Sequence, residues 1–424
     1  MSFGQGLSGL KGAAQKLDVI GNNIANSGTV GFKSSSVSFA DVYASSRVGL
    51  GTQISAVNQD FSVGNLSVTG GQFDLAIDGA SGMFRVVDNA GSVFFTRNGQ
   101  FSPDKDGNLT NAQGQFLTGY VLNQATGAYS LTPERIQLPT GNIAPRATGA
   151  NVLNDENSGV VARAMNLSAT ADEVAEPFPS LPADPDAPQV PSPSSYNMSV
   201  PMTVYDSLGR EHQLTQYFAK TGENEWKVYY QLGSDVPADW QEFTVRFNPD
   251  GTIEKPTAAD PTAGTTLTTV NFAPAGAEPL VIPVNYEQAT QFGGNFNYEF
   301  VQDGYPTGEY ASMAVAKDGT VVANYTNGEM LEVGYIVLAD FPAIQGLSPV
   351  GGNAWAQTPE SGAPLLGRPG QNGLATLMSQ AVEESNVDIS TELVNMIITQ
   401  RTYQANAQSI STQSEMMQAL MNIR

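Results

Sequence analysis

Cysteine is absent from the chain and histidine occurs once, at position 212. The first absence excludes disulfides, thiol nucleophiles and thiolate metal sites. The second excludes any site that needs two imidazoles. His212 follows a predicted hairpin turn in YDSLGREHQLTQYF, where a solvent-facing strand position is expected. Basic residues are scarce as well: 19 Lys and Arg against 41 Asp and Glu leave a net charge of −22. A phosphate-binding surface needs clustered cations, so nucleic acid is excluded as a partner and an anionic membrane surface is disfavoured. No apolar run approaches the ~20 residues of a span, so no membrane insertion is expected. The N-terminus lacks the basic and apolar regions of a cleaved secretory signal. Charged residues make up 14 % of the chain against a usual ~25 %, so Ser, Thr, Asn, Gln and Gly must form much of the surface.

What is present is 424 residues, room for several domains, with helical signals confined to the two ends. From Ser2 to about Asn26 there is no proline, and Phe3, Leu10, Leu17 and Ile24 recur every seven residues. Gly6, Ala13 and Ile20 supply the interleaved position. Near the C-terminus one series runs through Leu393, Gln400, Ala407, Ser414 and Met421, and another through Met396, Tyr403, Ile410 and Met417. A 3-4 repeat marks helices that pack along a seam. Asp388 or Ser390 can cap the second helix. Gln400 is a polar seam position that can fix register, and the methionines are pliable fillers.

Between the ends the pattern is β. Alternating runs are broken by turn signals in VVDNAGSVFFTRNGQF (86–101), SPDKDGNL (102–109), VYDSLGREHQL (204–214), FNPDGTI (247–253) and VAKDGTVVANY (315–325). Asn-Gly and Asp-Gly tolerate the positive φ of tight hairpins. DKDGN lacks the glycine and glutamate of a calcium loop, so it is a turn. Gly49-Leu50-Gly51 is a link and no phosphate loop. Residues 172–195 are acidic and Pro-rich and are expected to form a flexible loop, with a smaller one at 256–266. The three tryptophans, 226, 240 and 355, are expected in β cores. No carboxylate pair is singled out as acid and base, and nothing calls for a cofactor or a metal.

Two narrow seams at opposite ends leave half of each stripe wet when they pair only with each other. Neighbouring copies in an open polymer complete the burial; an ordinary intramolecular helical hairpin or a plain coiled-coil dimer is the alternative. On the polymer reading, the ends are disordered in the free subunit and fold on assembly.

The stretch LDVIGNNIANSGTVGFKSSSVSFADVY (17–43) and the C-terminal ESNVDISTELVNMIITQRTYQANAQSISTQSEMMQALMNIR (384–424) resemble the bacterial flagellar rod and hook axial protein family. So do FSVGNLSVTGGQFDLAIDG (61–79), VFFTRNGQFSPDKDGNL (93–109), VVANYTNGEMLEVGYIVLADF (321–341) and NAWAQTPESGAPLLG (353–367). An extra β segment, TVYDSLGREHQLTQYFAKTGENEWKVYY (203–230), is similar to the outer domain of hook-type members.

The resemblance implies a multi-domain, mainly β chain with α-helical coiled-coil termini. An inner coiled-coil polymerisation domain comes from 1–28 with 380–424, and a linking region from 29–73 with 366–379. Two barrel- or sandwich-like β domains are inserted between them: an inner one from 74–145 with 291–365, and an outer one from 146–290. The implied function is structural and non-enzymatic. Copies stack helically into a curved, flexible joint that transmits torque from rod to filament; the alternative is another axial component, of rod or junction. Implied partners are other copies of the chain, the flagellar rod, the hook cap, the length-control ruler, the hook–filament junction proteins and the export apparatus. The implied location is the extracellular flagellum, on the basal body. Phe3 and Leu7 match the family's export element. Gly21, Asn22, Asn23, Asn26, Gly28, Gly31 and Phe32 form the turn leaving the first helix, a C-cap that can also serve as a hinge. A secreted β-rich hydrolase with helical ends is the competing class; a glycan-hydrolysis screen separates it.

Overall fold

The computed structural model describes residues 3–42, 51–124, 126–150, 158–181, 190–233, 240–255 and 266–422. The chain is mainly β, with one long helix near each end and β-rich regions between. It divides into two compact units: unit 1 holds Met1–Thr140, Tyr310–Asn324 and Met330–Arg424, and unit 2 holds Gly141–Glu309 and Tyr325–Glu329.

In unit 1, helix α1 (Phe3–Ala25) packs on helix α2 (Ile389–Asn422) and on the hairpin of β1 (Ser35–Val42) and β2 (Gly51–Gln59). Gly4, Gly6, Gly9, Gly12 and Gly21 weaken α1, each by roughly 1 kcal/mol against alanine, so the helix depends on its packing. Asp388 caps α2, accepting from the backbone N–H of Ser390 (2.8 Å) and from the Thr391 hydroxyl (2.9 Å). The main path of the large sheet runs Tyr310–Val315, Thr320–Tyr325, Met330–Ile336, Phe116–Asn123, Met83–Val87, Val93–Thr96, Ala354–Ala356 and Ser348–Gly351. Beneath it Met83, Phe95, Phe341 and Trp355 form a core, the Phe95 and Phe341 rings meeting edge to face at 4.7 Å. Two short pairings join the chain's halves: Leu75–Asp78 with Thr376–Ser379, and Leu66–Val68 with Ala381–Glu383.

The turn signals form hairpins as expected. In DKDGN the Asp104 carboxylate accepts from the N–H groups of Asp106 and Asn108, and Gly107 takes φ +82°. No group of acidic or histidine side chains suited to a metal ion occurs among the described residues. No helix among them is long and apolar enough to cross a membrane.

Unit 2 has a four-stranded sheet (Met198–Tyr205, Glu211–Gly222, Glu225–Leu232, Gln241–Arg246) and a five-stranded one centred on Val160–Ser168. Both supply one core that includes Val160, Leu167, Leu214, Phe218, Trp226 and Ile282. Inside it Tyr230 and Tyr286 share a hydroxyl–hydroxyl bond of 2.9 Å, and Tyr286 donates to Gln216 Oε1. Burial pushes both phenols above the ordinary tyrosine range. Asn297–Gln302 pairs with Val160–Ser168, so residues 291–309, expected with the inner β domain, fold within unit 2. Strand partners are set by packing between distant segments, which no local pattern names.

The expected loop at 172–195 has packed flanks. Phe178 stacks on Tyr229 at 4.1 Å and meets Trp240 edge-on, and Ser192 donates to the Ser180 carbonyl (2.7 Å). Residues 182–189, most of the loop at 256–266, and Gly49 with Leu50 lie outside the described residues.

His212 is no free surface group: its Nε2 lies 2.9 Å from Asp206 Oδ2. Asp206 also accepts from the backbone N–H of Leu208 and Arg210 (both 2.9 Å) and from Arg210 Nε (2.8 Å). Burial alone would raise this carboxyl; the bonds from His212, Arg210 and Leu208 outweigh it and hold it well below the usual range. A carboxyl depressed in the fold stabilises above its unfolded value of about 4 and loses that contribution as pH falls further. Asp206→Asn is therefore expected to cost about 1–3 kcal/mol at pH 7 and less at pH 3. Urea unfolding of unit 2 signals checks it; an equal deficit at both pH values would refute the carboxylate's role.

Candidate assembly surface

Glycine lets α1 and α2 approach closely. A Cβ on Gly9 would stand 2.9 Å from the Asn406 side chain, and one on Gly6 3.0 Å from Ile410 Cγ1. Gly12 gives the same close approach to the Phe39 ring of β1. The covered face of α2 thus runs through buried Thr399 and half-buried Met396, Asn406, Ala407 and Ile410.

Of the seam residues read from the sequence, Ala13 and Ile20 are buried on α1, and Leu10, Leu17 and Ile24 are half-buried. Phe3 opens the helix. On α2 only Met396, Ala407 and Ile410 join the covered side; Leu393, Gln400, Tyr403, Met417 and Met421 face outward. Ile389, Val394, Ile397, Ile398 and Met416 are exposed with them. Apolar residues are spread around α2, so α1 covers one side and, among the described residues, the others have no partner. Two grooves flank α1. One, about 580 Å³, is lined by Lys11, Gln15, Asp18, Asn22, Ser35 and Val57. The other, about 400 Å³, lies among Gln5, Gly12, Lys16, Phe39, Thr402 and Asn406.

The turn after α1 is tied to the start of α2. Gly21, Asn22 and Asn23, expected in the turn, are still helical; Asn26 donates from its backbone N–H and from Nδ2 to the Asn22 carbonyl, closing the helix, and Gly21 and Phe32 are half-buried. Asn23, fully buried, exchanges two bonds with the Ser35 backbone (2.8 and 2.9 Å) and donates to Glu392 Oε1 (3.4 Å). Gly31 takes φ +71°, where a Cβ would meet the Asn98 backbone nitrogen at 2.5 Å, so no other residue fits without backbone movement. Its N–H donates to the Glu383 carbonyl (2.7 Å). Asn386 accepts from the Ser34 N–H and donates to the Asp60 carbonyl, both at 2.8 Å.

Beneath the turn lies a charged cluster that local sequence patterns do not mark. Glu383 is buried between Lys33 Nζ (2.5 Å) and Arg97 Nη1 (3.1 Å), and it also accepts from the Gly64 N–H (2.9 Å). Lys33 donates to the Ser62 carbonyl, and Arg97 to those of Gly79 and Ala80. Burial lowers the Lys33 ammonium and the Arg97 guanidinium from their usual values, with Glu383 opposing that shift at each. Four segments far apart in sequence are thereby held at one point. The arrangement positions helices and offers no nucleophile–base pair; its chemistry is that of a fastened joint.

Comparison with known proteins accounts for most of the chain. Family models match in four stretches: flagella basal body rod protein at 5–33, flagellar hook protein FlgE/F/G D1 domain at 76–161, flagellar basal body protein FlaE D2 domain at 166–305, and flagellar basal body rod FlgEFG protein C-terminal at 378–423. The flagellar hook protein FlgE of Salmonella typhimurium is 43 % identical over 427 residues, covering 100 % of both chains. That of Escherichia coli is 41 % identical over 433 residues, again 100 % of both. That of Brucella suis is 32 % identical over 424 residues, 99 % of this chain and 98 % of the relative. The crystal structure of a flagellar hook protein from Helicobacter pylori is similar in fold, with a TM-score of 0.51 at 16 % identity, over 75 % of this chain and 100 % of that one.

Proposed function

The chain belongs to the flagellar hook protein FlgE family, and on that premise we infer that it is a structural subunit that polymerises helically into the flagellar hook, the curved joint between rod and filament. Its role is mechanical, in bacterial motility, and it is not an enzyme. The observation that carries the reading is α2: apolar residues surround it, and the chain's own α1 covers one side alone. Burial of each exposed large side chain is worth about 1.5–3 kcal/mol, and neighbouring copies supply that burial.

On the same premise the finer organisation follows as a proposal. Residues 1–28 and 380–424 form an inner coiled-coil domain around a central channel, with Leu10, Leu17, Ile24, Leu393, Gln400, Tyr403, Met417 and Met421 in its seams. Residues 29–73 and 366–379 link it to barrel- or sandwich-like β domains. The last turn of α1 from Gly21, with the turn that follows it to Phe32, serves as the hinge between helix and linker. Contacts with rod, cap, ruler, junction and export proteins, and a place on the extracellular flagellum, belong to the same reading.

Both rod-type matches lie at the chain ends, which favours a second reading as another axial component; the match at 166–305 favours the hook. Polymers of the purified chain are expected to be curved tubes in electron microscopy, with a gain of helical circular dichroism on assembly. Straight rods would support the second reading. Normal tubes from a chain lacking 1–28 and 380–424 would overturn both.

A further inference from the structure

On one face of the large sheet, three adjacent strands bring two arginines into a row. Met83–Val87 pairs with Phe116–Asn123 at Val86↔Leu117, and Glu134–Arg135 pairs with that same strand at Arg135↔Thr118. Thr118 stands between them: its hydroxyl donates to the Arg85 carbonyl (2.9 Å) and accepts from Arg85 Nη1 (3.0 Å). The Arg135 guanidinium lies over the Phe116 ring, 4.0 Å from its centroid. Strands about 4.8 Å apart place the two side-chain stems roughly 10 Å apart. A cavity of about 490 Å³ opens there, bordered also by Asn108, Pro133, Glu134 and Gln137.

Among the described residues neither arginine forms an ion pair with a carboxylate, Glu134 included. Arg85 is half-buried, and desolvation lowers its guanidinium from the usual value. At about 10 Å the two like charges repel only weakly through solvent, but neither is neutralised within the chain. A carboxylate between the two forks would accept charge-assisted bonds from both. The abundant source is the chain itself, with 41 acidic residues against 19 basic. Copies of such charge repel unless acidic side chains meet cations at fixed points.

We propose that the cavity between Arg85 and Arg135 receives a carboxylate side chain from a second copy of this chain in the assembled polymer. The inference rests on the polymerising function given above. Elongation of the full chain from sheared hook fragments separates the two. Failure of the unaltered chain to elongate would overturn the functional reading and this site with it. Where it elongates, Arg85→Gln with Arg135→Gln is expected to raise the critical concentration about fivefold to tenfold at low salt and to flatten its salt dependence. The monomer's melting temperature should change by no more than a few degrees, since the Thr118 bond and the Phe116 contact are single surface interactions. Arg135→Lys, which keeps the charge and loses the fork, is expected to fall between. A double variant with the unaltered critical concentration and salt response overturns the proposal. So does one whose monomer melts much earlier, by about ten degrees, since the arginines would then chiefly serve the fold.

Discussion

Replacing Glu383 with alanine is expected to destabilise unit 1 by about 3–5 kcal/mol and to abolish hook assembly. The side chain has no exposure, and its removal leaves the Lys33 ammonium and the Arg97 guanidinium facing each other in a buried site. Desolvation already disfavours both charges, and Glu383 is the main group that offsets it, with Asp60 and Asp340 contributing less. The Gly64 N–H would lose its acceptor as well. Glu383 ends the strand Ala381–Glu383, which pairs with Leu66–Val68 just before α2, so the damage falls where the helices are set. Glu383→Gln keeps the volume and one acceptor and should recover part of the loss. Urea unfolding and swimming motility measure the effect. Unchanged unfolding in the alanine variant would mean that the cluster contributes nothing to the joint.

The second large effect is expected on α2. Leu393→Asn together with Ile397→Asn should lower polymer elongation by about 10-fold to 10²-fold. At 46 % and 51 % exposure these side chains support little of the single chain's own core. About half of each side chain is left to bury against a neighbour, worth about 0.8–1.5 kcal/mol apiece, so losing both removes roughly 1.5–3 kcal/mol from association. Asparagine adds no charge to a chain of −22, so general repulsion does not enter the comparison. Monomer stability should stay within about 0.5 kcal/mol, as for surface substitutions. Elongation from unaltered seeds is the measurement. Normal elongation would show that this side of α2 stays wet in the polymer.

Leu393 belongs to the heptad series and Ile397 does not, which shows how far periodicity reaches. The 3-4 repeat marked two helices and the absence of proline set their extent, because helix formation is a local matter. It could not choose the side of α2 that α1 covers. That side is set by where small residues allow approach, Gly6 against Ile410 and Gly9 against Asn406. Turn chemistry was equally local, and Asp104 with Gly107 forms the hairpin that DKDGN announces. The glycine–asparagine run after α1 marked a turn. Its fastening depends on Asn98, Glu383 and Asn386, which the run does not contain.

Residue order alone carried the excluded chemistry, the helical ends, the hairpins between them and the family resemblance, since each is written in neighbouring residues or in composition. Packing alone decided the rest. Lys33 meets Glu383 across 350 residues and Arg97 meets it across 286. Asn297–Gln302 joined Val160–Ser168, and Arg85 and Arg135 came to share a cavity, through strand pairings. Strand register and buried charge are settled by which distant surfaces exclude water together, and no local repeat encodes that choice.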